Sequence, residues 1–115
     1  MADVQKYETD VAIIGAGGAG ICAGIEALDA GARVTAFELG AEPGGAAIMS
    51  GGGCMVVGSP LQTEQGIEDN PDLAFKDWMQ WGGASADAAW ARYYIEHSLH
   101  DLYHWAEEQG VKWVM

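Results

Sequence analysis

The residues best able to do chemistry lie in the first third of the 115-residue chain. Gly15-Ala16-Gly17-Gly18-Ala19-Gly20 is a G-x-G-x-x-G run, and Glu38 stands 18 residues beyond its last glycine. In such a run the first glycine permits a tight turn, the second lets the backbone approach a pyrophosphate, and the third lets a helix pack closely on a sheet. Helix-start amides and the helix macrodipole then favour the phosphates, by about 0.3–1 kcal/mol when exposed and up to ~2 kcal/mol when partly buried. Glu38 can accept hydrogen bonds from both hydroxyls of an adenosine ribose, and its charge would repel a 2′-phosphate, which disfavours NADP. The bland alternative is a set of turn glycines beside a strand-end glutamate, and it requires several features to coincide by accident. The spacing alone does not choose between NAD and FAD.

These residues need elements to position them. Val11-Ala12-Ile13-Ile14 is a short apolar run suited to a buried, parallel-type strand. The pattern turns helical from Gly18 to about Ala30, with Ile21, Ile25 and Leu28 expected on one face and Gly31 closing it. Val34–Phe37 reads as a second strand that ends on Glu38. Strand, glycine turn, helix and strand form an α/β, Rossmann-like βαβ unit with an expected right-handed crossover.

The span from Gly40 to about Gly66 reads as a long loop, with clusters at Gly44-Gly45 and Gly51-Gly52-Gly53. A loop of that length in a compact domain usually has a function. Asn70-Pro71 should start a helix that runs to about Trp81 and stops at Gly82-Gly83. Ser85 is expected to cap a longer helix reaching Gln109. Ala88, Ala91, Ile95, Leu99, Leu102 and Ala106 would form its core face. Val111–Met115 has the character of a beginning strand. Residues 1–57 thus read as βαβ and glycine-rich loops, and residues 58–115 as an aromatic-rich helical segment of the same domain.

Composition narrows the function classes. Seventeen acidic against five basic side chains give a net charge of −12. Nucleic acid and anionic membrane surfaces are excluded as partners, because both need clustered Lys and Arg. The apolar stretch Val11–Ile25 holds five glycines and ends at Glu26, unlike a signal peptide or membrane span. The chain is therefore read as soluble and cytoplasmic. Cys22 and Cys54 are too few for a disulfide scaffold, and Cys22 is expected to be a small buried hydrophobe.

The stretch after Glu38, "ELGAEPGGAAIMSGGG", resembles the second phosphate and flavin loop of the FAD-dependent fumarate reductase and 3-ketosteroid dehydrogenase superfamily. The likeness continues through "GSPLQTEQGIEDNPDLAFKDW" and "WAEEQGVKW", so it spans Asp10 to Trp113. It implies that Gly15, Gly17, Gly18, Ala19 and Gly20 face the pyrophosphate and that Glu38 faces the ribose. It also implies that Gly44, Gly45, Ala46, Ser50, Gly51 and Gly52 lie along the pyrophosphate, ribityl chain or flavin ring. Leu39 joins this set, standing where a lysine is common. Respiratory members hold the flavin covalently through a histidine in this loop. Ala46 to Met49 contains none, so non-covalent FAD is expected.

The resemblance further implies hydride transfer to or from a carbon–carbon bond activated by a neighbouring carbonyl or carboxylate, with ketosteroid-like or unsaturated-acid substrates. Such flavoproteins are several times longer. The expectation is an incomplete domain, either a fragment or a small subunit whose partner chain supplies the rest of the FAD domain and the substrate domain, and no residue here is assigned a catalytic role. An NAD-linked dehydrogenase and a non-catalytic assembly subunit remain open alternatives.

Other candidates receive ordinary readings. His97, His100 and His104 share one side of a helix, and the last two have one-turn metal-binding spacing. With no further ligands, a solvated or interface face is expected, with Asp101 pairing His97 or His104. The five tryptophans, with Tyr93, Tyr94 and Tyr103, are read as core or subunit contacts. Cys54 has no Cys-x-x-Cys partner and is not assigned a redox role.

Overall fold

The computed structural model describes residues 4–115, which divide into two compact units, one ending at Gly53 and the other spanning Cys54–Met115. In the first unit β1 (Val11–Ile14) and β2 (Val34–Phe37) pair in parallel, with Val11 opposite Val34 and Ile14 opposite Phe37. Helix α1 (Gly18–Asp29) joins them, giving the expected βαβ unit. The register is tied at the open end, where the Asp10 and Val11 amides both donate to the Arg33 carbonyl at 3.0 and 3.1 Å. The Asp10 carboxylate adds a bidentate pair with the Arg33 guanidinium at 3.0 and 3.1 Å.

The face of α1 that approaches the sheet differs from expectation. Gly24 is the buried residue of the helix, whereas Ile21 and Leu28 are exposed. A side chain at Gly24 would press on Ile13 and Val34, so small residues, not the aliphatic ones, set the close approach of helix to strand. Cys22 likewise proves exposed rather than buried.

The long loop contains two pieces of structure. A 3₁₀ turn covers Gly45–Met49. In the second unit, α2 (Pro60–Glu64) is started by a capping box, with the Gln62 amide donating to Ser59 Oγ and the Ser59 amide donating to Gln62 Oε1. Ser-Pro-x-Gln was a readable helix start. Helix α3 (Pro71–Gly82) begins as anticipated, its Asp72 and Leu73 amides donating to Asn70 Oδ1.

The last helical stretch departs twice from expectation. Asp87, not Ser85, is the cap, accepting from the Ala89 and Trp90 amides at 2.9 and 3.0 Å, because Gly83–Ser85 is already a 3₁₀ turn. Helix α4 (Ala88–His97) then widens into a π-helical segment, Ser98–His104, before α5 (Trp105–Glu108). The wider turn shifts the buried face: Ala91, Ile95, Ser98, Tyr103 and Ala106 are buried, while Leu99 and Leu102 are only half-buried and Ala88 is exposed. Ser98 accounts for the shift, since its hydroxyl accepts from the Val57 amide at 3.1 Å and donates to the Ile95 carbonyl at 3.1 Å. The Tyr94 hydroxyl donates to the Met55 carbonyl at 2.8 Å, so two side chains clamp segment 55–57. Val111–Met115 forms no strand; instead Trp113 stacks on Tyr103 and donates to its carbonyl at 3.1 Å.

Candidate cofactor site

The site grows from the turn between β1 and α1. The Gly15 amide donates to the Phe37 carbonyl at 2.8 Å, carrying the sheet pairing one residue past β1. Gly20 lies in the first turn of α1, and a Cβ there would overlap the Gly15 carbonyl oxygen and lie 3.2 Å from Ile13 Cγ2. Helix α1 can therefore start this near the strand only if residue 20 lacks a side chain. Its N-cap, Gly17, supplies no side-chain acceptor, and the first turn carries no acidic residue. Gly18 and Ala19 are exposed, so the start of a twelve-residue helix is open, with no acidic residue in its own first turn.

The second glycine cluster packs against the first. The Gly44 amide donates to the Ala16 carbonyl at 2.7 Å, and Gly17 and Gly44 form a parallel bridge. A Cβ on Gly45 would come 3.2 Å from the Gly17 Cα, so the two turns touch backbone to backbone. From there Gly45–Met49 coils in its 3₁₀ turn, with Ala46 exposed. Ser50 Oγ accepts from the Gly52 amide at 3.0 Å and rounds the chain into Gly51 and Gly52. Leu39 is fully exposed.

Glu38 closes the third side. Its Oε1 accepts from the Gly40 amide at 2.7 Å and its Oε2 from the Ala16 amide at 2.8 Å. These amides, Gly40 first and Ala16 second, hold the carboxyl below the ordinary glutamate range. A carboxylate pinned in this way stays ionised and keeps further lone pairs for donors such as sugar hydroxyls. Ala16, which the sequence reading passed over as a spacer, is the hub: its amide meets Glu38 and its carbonyl meets Gly44. Nothing in its identity signals this, because both contacts are made by backbone.

The arrangement fits a dinucleotide. It offers an exposed helix start without a side-chain cap, two turns in contact through glycines, and an ionised carboxylate at the end of the next strand. The histidines are not gathered into such a site. His97 Nδ1 lies 2.7 Å from the Tyr93 carbonyl, His100 pairs with Asp101 at 2.8 Å, and His104 faces Glu107 at 3.2 Å. Asp101 thus partners His100 rather than His97 or His104. Among the described residues no group of three or more His, Cys, Asp or Glu is placed to hold a metal ion. Trp81, Trp90 and Tyr93 are exposed rather than core, and Cys54 is exposed. No helix among the described residues is long and apolar enough to cross a membrane.

Comparison with known proteins supplies the family. Residues 10–115 match the model of the FAD binding domain. The chain is 34% identical over 120 residues to a KsdD-like steroid dehydrogenase of Mycobacterium tuberculosis, covering 96% of this chain and 21% of that protein. It is 36% identical over 110 residues to a fumarate reductase (cytochrome) of Shewanella frigidimarina, covering 96% and 19%. The crystal structure of 3-ketosteroid-Δ4-(5α)-dehydrogenase from Rhodococcus jostii, in complex with 4-androstene-3,17-dione, superposes with a TM-score of 0.84 at 35% identity, over 98% of this chain and 23% of that one. The chain therefore spans about a fifth of the length of the curated relatives it matches. Between the two dinucleotides that the glycine spacing leaves open, the family match decides: this chain belongs to the FAD binding domain family, and its cofactor is FAD.

Proposed function

We propose that this chain is the FAD-binding N-terminal part, or a small subunit, of a flavin-dependent oxidoreductase that moves a hydride to or from an activated carbon–carbon bond. The observation that carries the reading is the backbone-to-backbone junction of the Gly15–Gly20 and Gly44–Gly45 turns beside the pinned Glu38 carboxylate. Two phosphate-facing loops in contact make one continuous amide wall, which suits a diphosphate with an extended group on either side. Gly15, Gly17, Gly18, Ala19 and Gly20 face the pyrophosphate, Gly15 by shaping the turn while its amide pairs with β2, and Glu38 holds the adenosine ribose. Gly44, Gly45, Ala46, Ser50, Gly51 and Gly52 line the route of the ribityl chain and ring, with Leu39 contributing backbone. Bound FAD supplies the redox chemistry, and the protein's part is binding and orientation. Ala46–Met49 offers no nucleophile for a covalent bond to the flavin, so the cofactor is held non-covalently.

The substrate is a ketosteroid-like ketone or an unsaturated acid, a choice supported by the named activities of the steroid dehydrogenase and fumarate reductase relatives. A second chain supplies the rest of the FAD domain and the substrate domain. Support comes from the sheet: two short parallel strands are marginal by themselves, parallel sheets are normally covered on both faces, and Ile14 is 83% exposed. Residues 1–115 alone would then bind FAD weakly and turn nothing over. The acidic chain acts in the cytoplasm, away from nucleic acid and membrane. The test is the visible spectrum of the protein purified from its source, followed by acid precipitation. Blue-absorbing flavin released into the supernatant is expected. A colourless protein that releases a nicotinamide dinucleotide would refute the reading, and flavin retained on the pellet would refute its non-covalent part.

A further inference from the structure

The run Gly51-Gly52-Gly53 is exposed, and a Cβ on any of the three would meet nothing within 4 Å. Packing therefore does not fix this run, and glycine gives up more backbone freedom on ordering than any other residue. Its conformation depends on how its two ends are held. At the near end Ser50 Oγ accepts from the Gly52 amide at 3.0 Å. At the far end, just past Cys54, the Tyr94 hydroxyl donates to the Met55 carbonyl at 2.8 Å, and Ser98 Oγ accepts from the Val57 amide at 3.1 Å.

The far clamp follows from spacing. Tyr94 and Ser98 stand four residues apart, about one helical turn, a rise of about 6 Å. Two chain residues reach at most ~7 Å, so the two hydroxyls meet backbone groups two positions apart in segment 55–57. The phenol is itself fixed, its ring centroid 5.5 Å from that of Trp78. Burial, and secondarily Cys54, raises the Tyr94 pKa above its ordinary value, so the hydroxyl stays a donor near neutral pH.

We infer that Tyr94 is a positioning residue for the flavin: its hydroxyl, assisted by Ser98, anchors the outgoing end of the Ser50–Gly53 loop and holds that loop in its cofactor-facing conformation. The inference rests on the function proposed above, which lays Ser50, Gly51 and Gly52 along the flavin. It adds two helix residues that act on the cofactor only through the backbone that follows this loop.

Tyr94→Phe keeps the ring beside Trp78 and removes only the hydroxyl. It is introduced into the flavoprotein as purified from its source. Asp87→Ala is the control, because it weakens the same helix α4 at its cap and leaves segment 55–57 alone. Amide hydrogen exchange is followed by mass spectrometry across residues 50–57, in the holoprotein and after removal of the flavin. FAD release is timed by the recovery of flavin fluorescence. Loss of one net hydrogen bond makes local opening roughly 2- to 10-fold more frequent. Tyr94→Phe should speed both exchange over residues 51–57 and FAD release by that factor, while Asp87→Ala leaves both as in wild type.

Wild-type exchange in the Tyr94→Phe protein overturns the inference, as does an equal acceleration by Asp87→Ala. Faster exchange with unchanged FAD release also overturns it, since the loop would then move without consequence for the flavin. A wild-type protein that takes up no FAD refutes the function proposed above. Exchange in the flavin-free protein then still decides whether Tyr94 anchors the loop.

Discussion

Replacing Gly17 by alanine should move folding stability and cofactor affinity in opposite directions. Gly17 has φ −78° and ψ −175°, an extended conformation that alanine adopts without strain. A Cβ there meets only the Gly45 Cα, at 4.0 Å, which is ordinary contact. The unfolded chain loses freedom while the folded chain loses nothing, so the deflavinated protein should gain about 0.4–1 kcal/mol. The added methyl nonetheless stands on the wall against which the pyrophosphate is proposed to lie. Disrupting one charge-assisted hydrogen bond costs about 1.5–3 kcal/mol, which weakens FAD binding roughly 10- to 150-fold. Thermal unfolding of the deflavinated protein and titration with FAD, followed by quenching of flavin fluorescence, read the two quantities separately. Gly20→Ala is the internal contrast. Its Cβ overlaps the Gly15 carbonyl, a backbone group that cannot swing aside, so stability should fall by about 1–3 kcal/mol together with affinity. A Gly17→Ala protein that is stabilised yet binds FAD as tightly as wild type would show that the diphosphate does not approach this turn.

Other perturbations probe separate links of the structure. Glu38 is held below the ordinary glutamate range by the Gly40 and Ala16 amides, so its contribution is present at neutral pH and fades as pH drops through the depressed folded value. Glu38→Gln should accordingly be less stable than wild type at pH 7, and the difference should vanish on acid titration; a gap that persists in strong acid would mean the carboxylate charge is not what holds the loop. Ser98→Ala leaves the buried Val57 amide without its acceptor and should cost about 1–3 kcal/mol in denaturant melts, largely restored by Ser98→Thr. Asp87→Ala removes a true N-cap and should cost about 1 kcal/mol, whereas Ser85→Ala should be nearly silent; equal effects would contradict the observed start of α4.

The βαβ unit was legible because its signals are local. The apolar run Val11–Ile14 stops at a glycine, the helix closes at Gly31, and Val34–Phe37 ends on an acid, so each boundary is set by residues within a few positions of it. The Asn70-Pro71 helix start was equally local. The misreadings have separate physical causes. Ser85 looked like a cap until the Gly83–Ser85 turn used up its backbone, and the 3.6-residue period through Leu99 and Leu102 failed because Ser98 is drawn inward by an amide 41 residues away. The α1 face was misassigned because close helix–strand approach rewards the absence of a side chain, which a hydrophobicity pattern does not register.

By itself the order of residues determined the kind of ligand grip, since glycine spacing and the position of Glu38 state where amides and a carboxylate can be offered. Tertiary structure alone decided that Gly44-Gly45 lies on Gly17 and that Ala16 ties both to Glu38. The glycine contacts run between backbone atoms distant along the chain, and Ala16 meets the Glu38 carboxylate through its amide alone, so no side chain at position 16 announces its part.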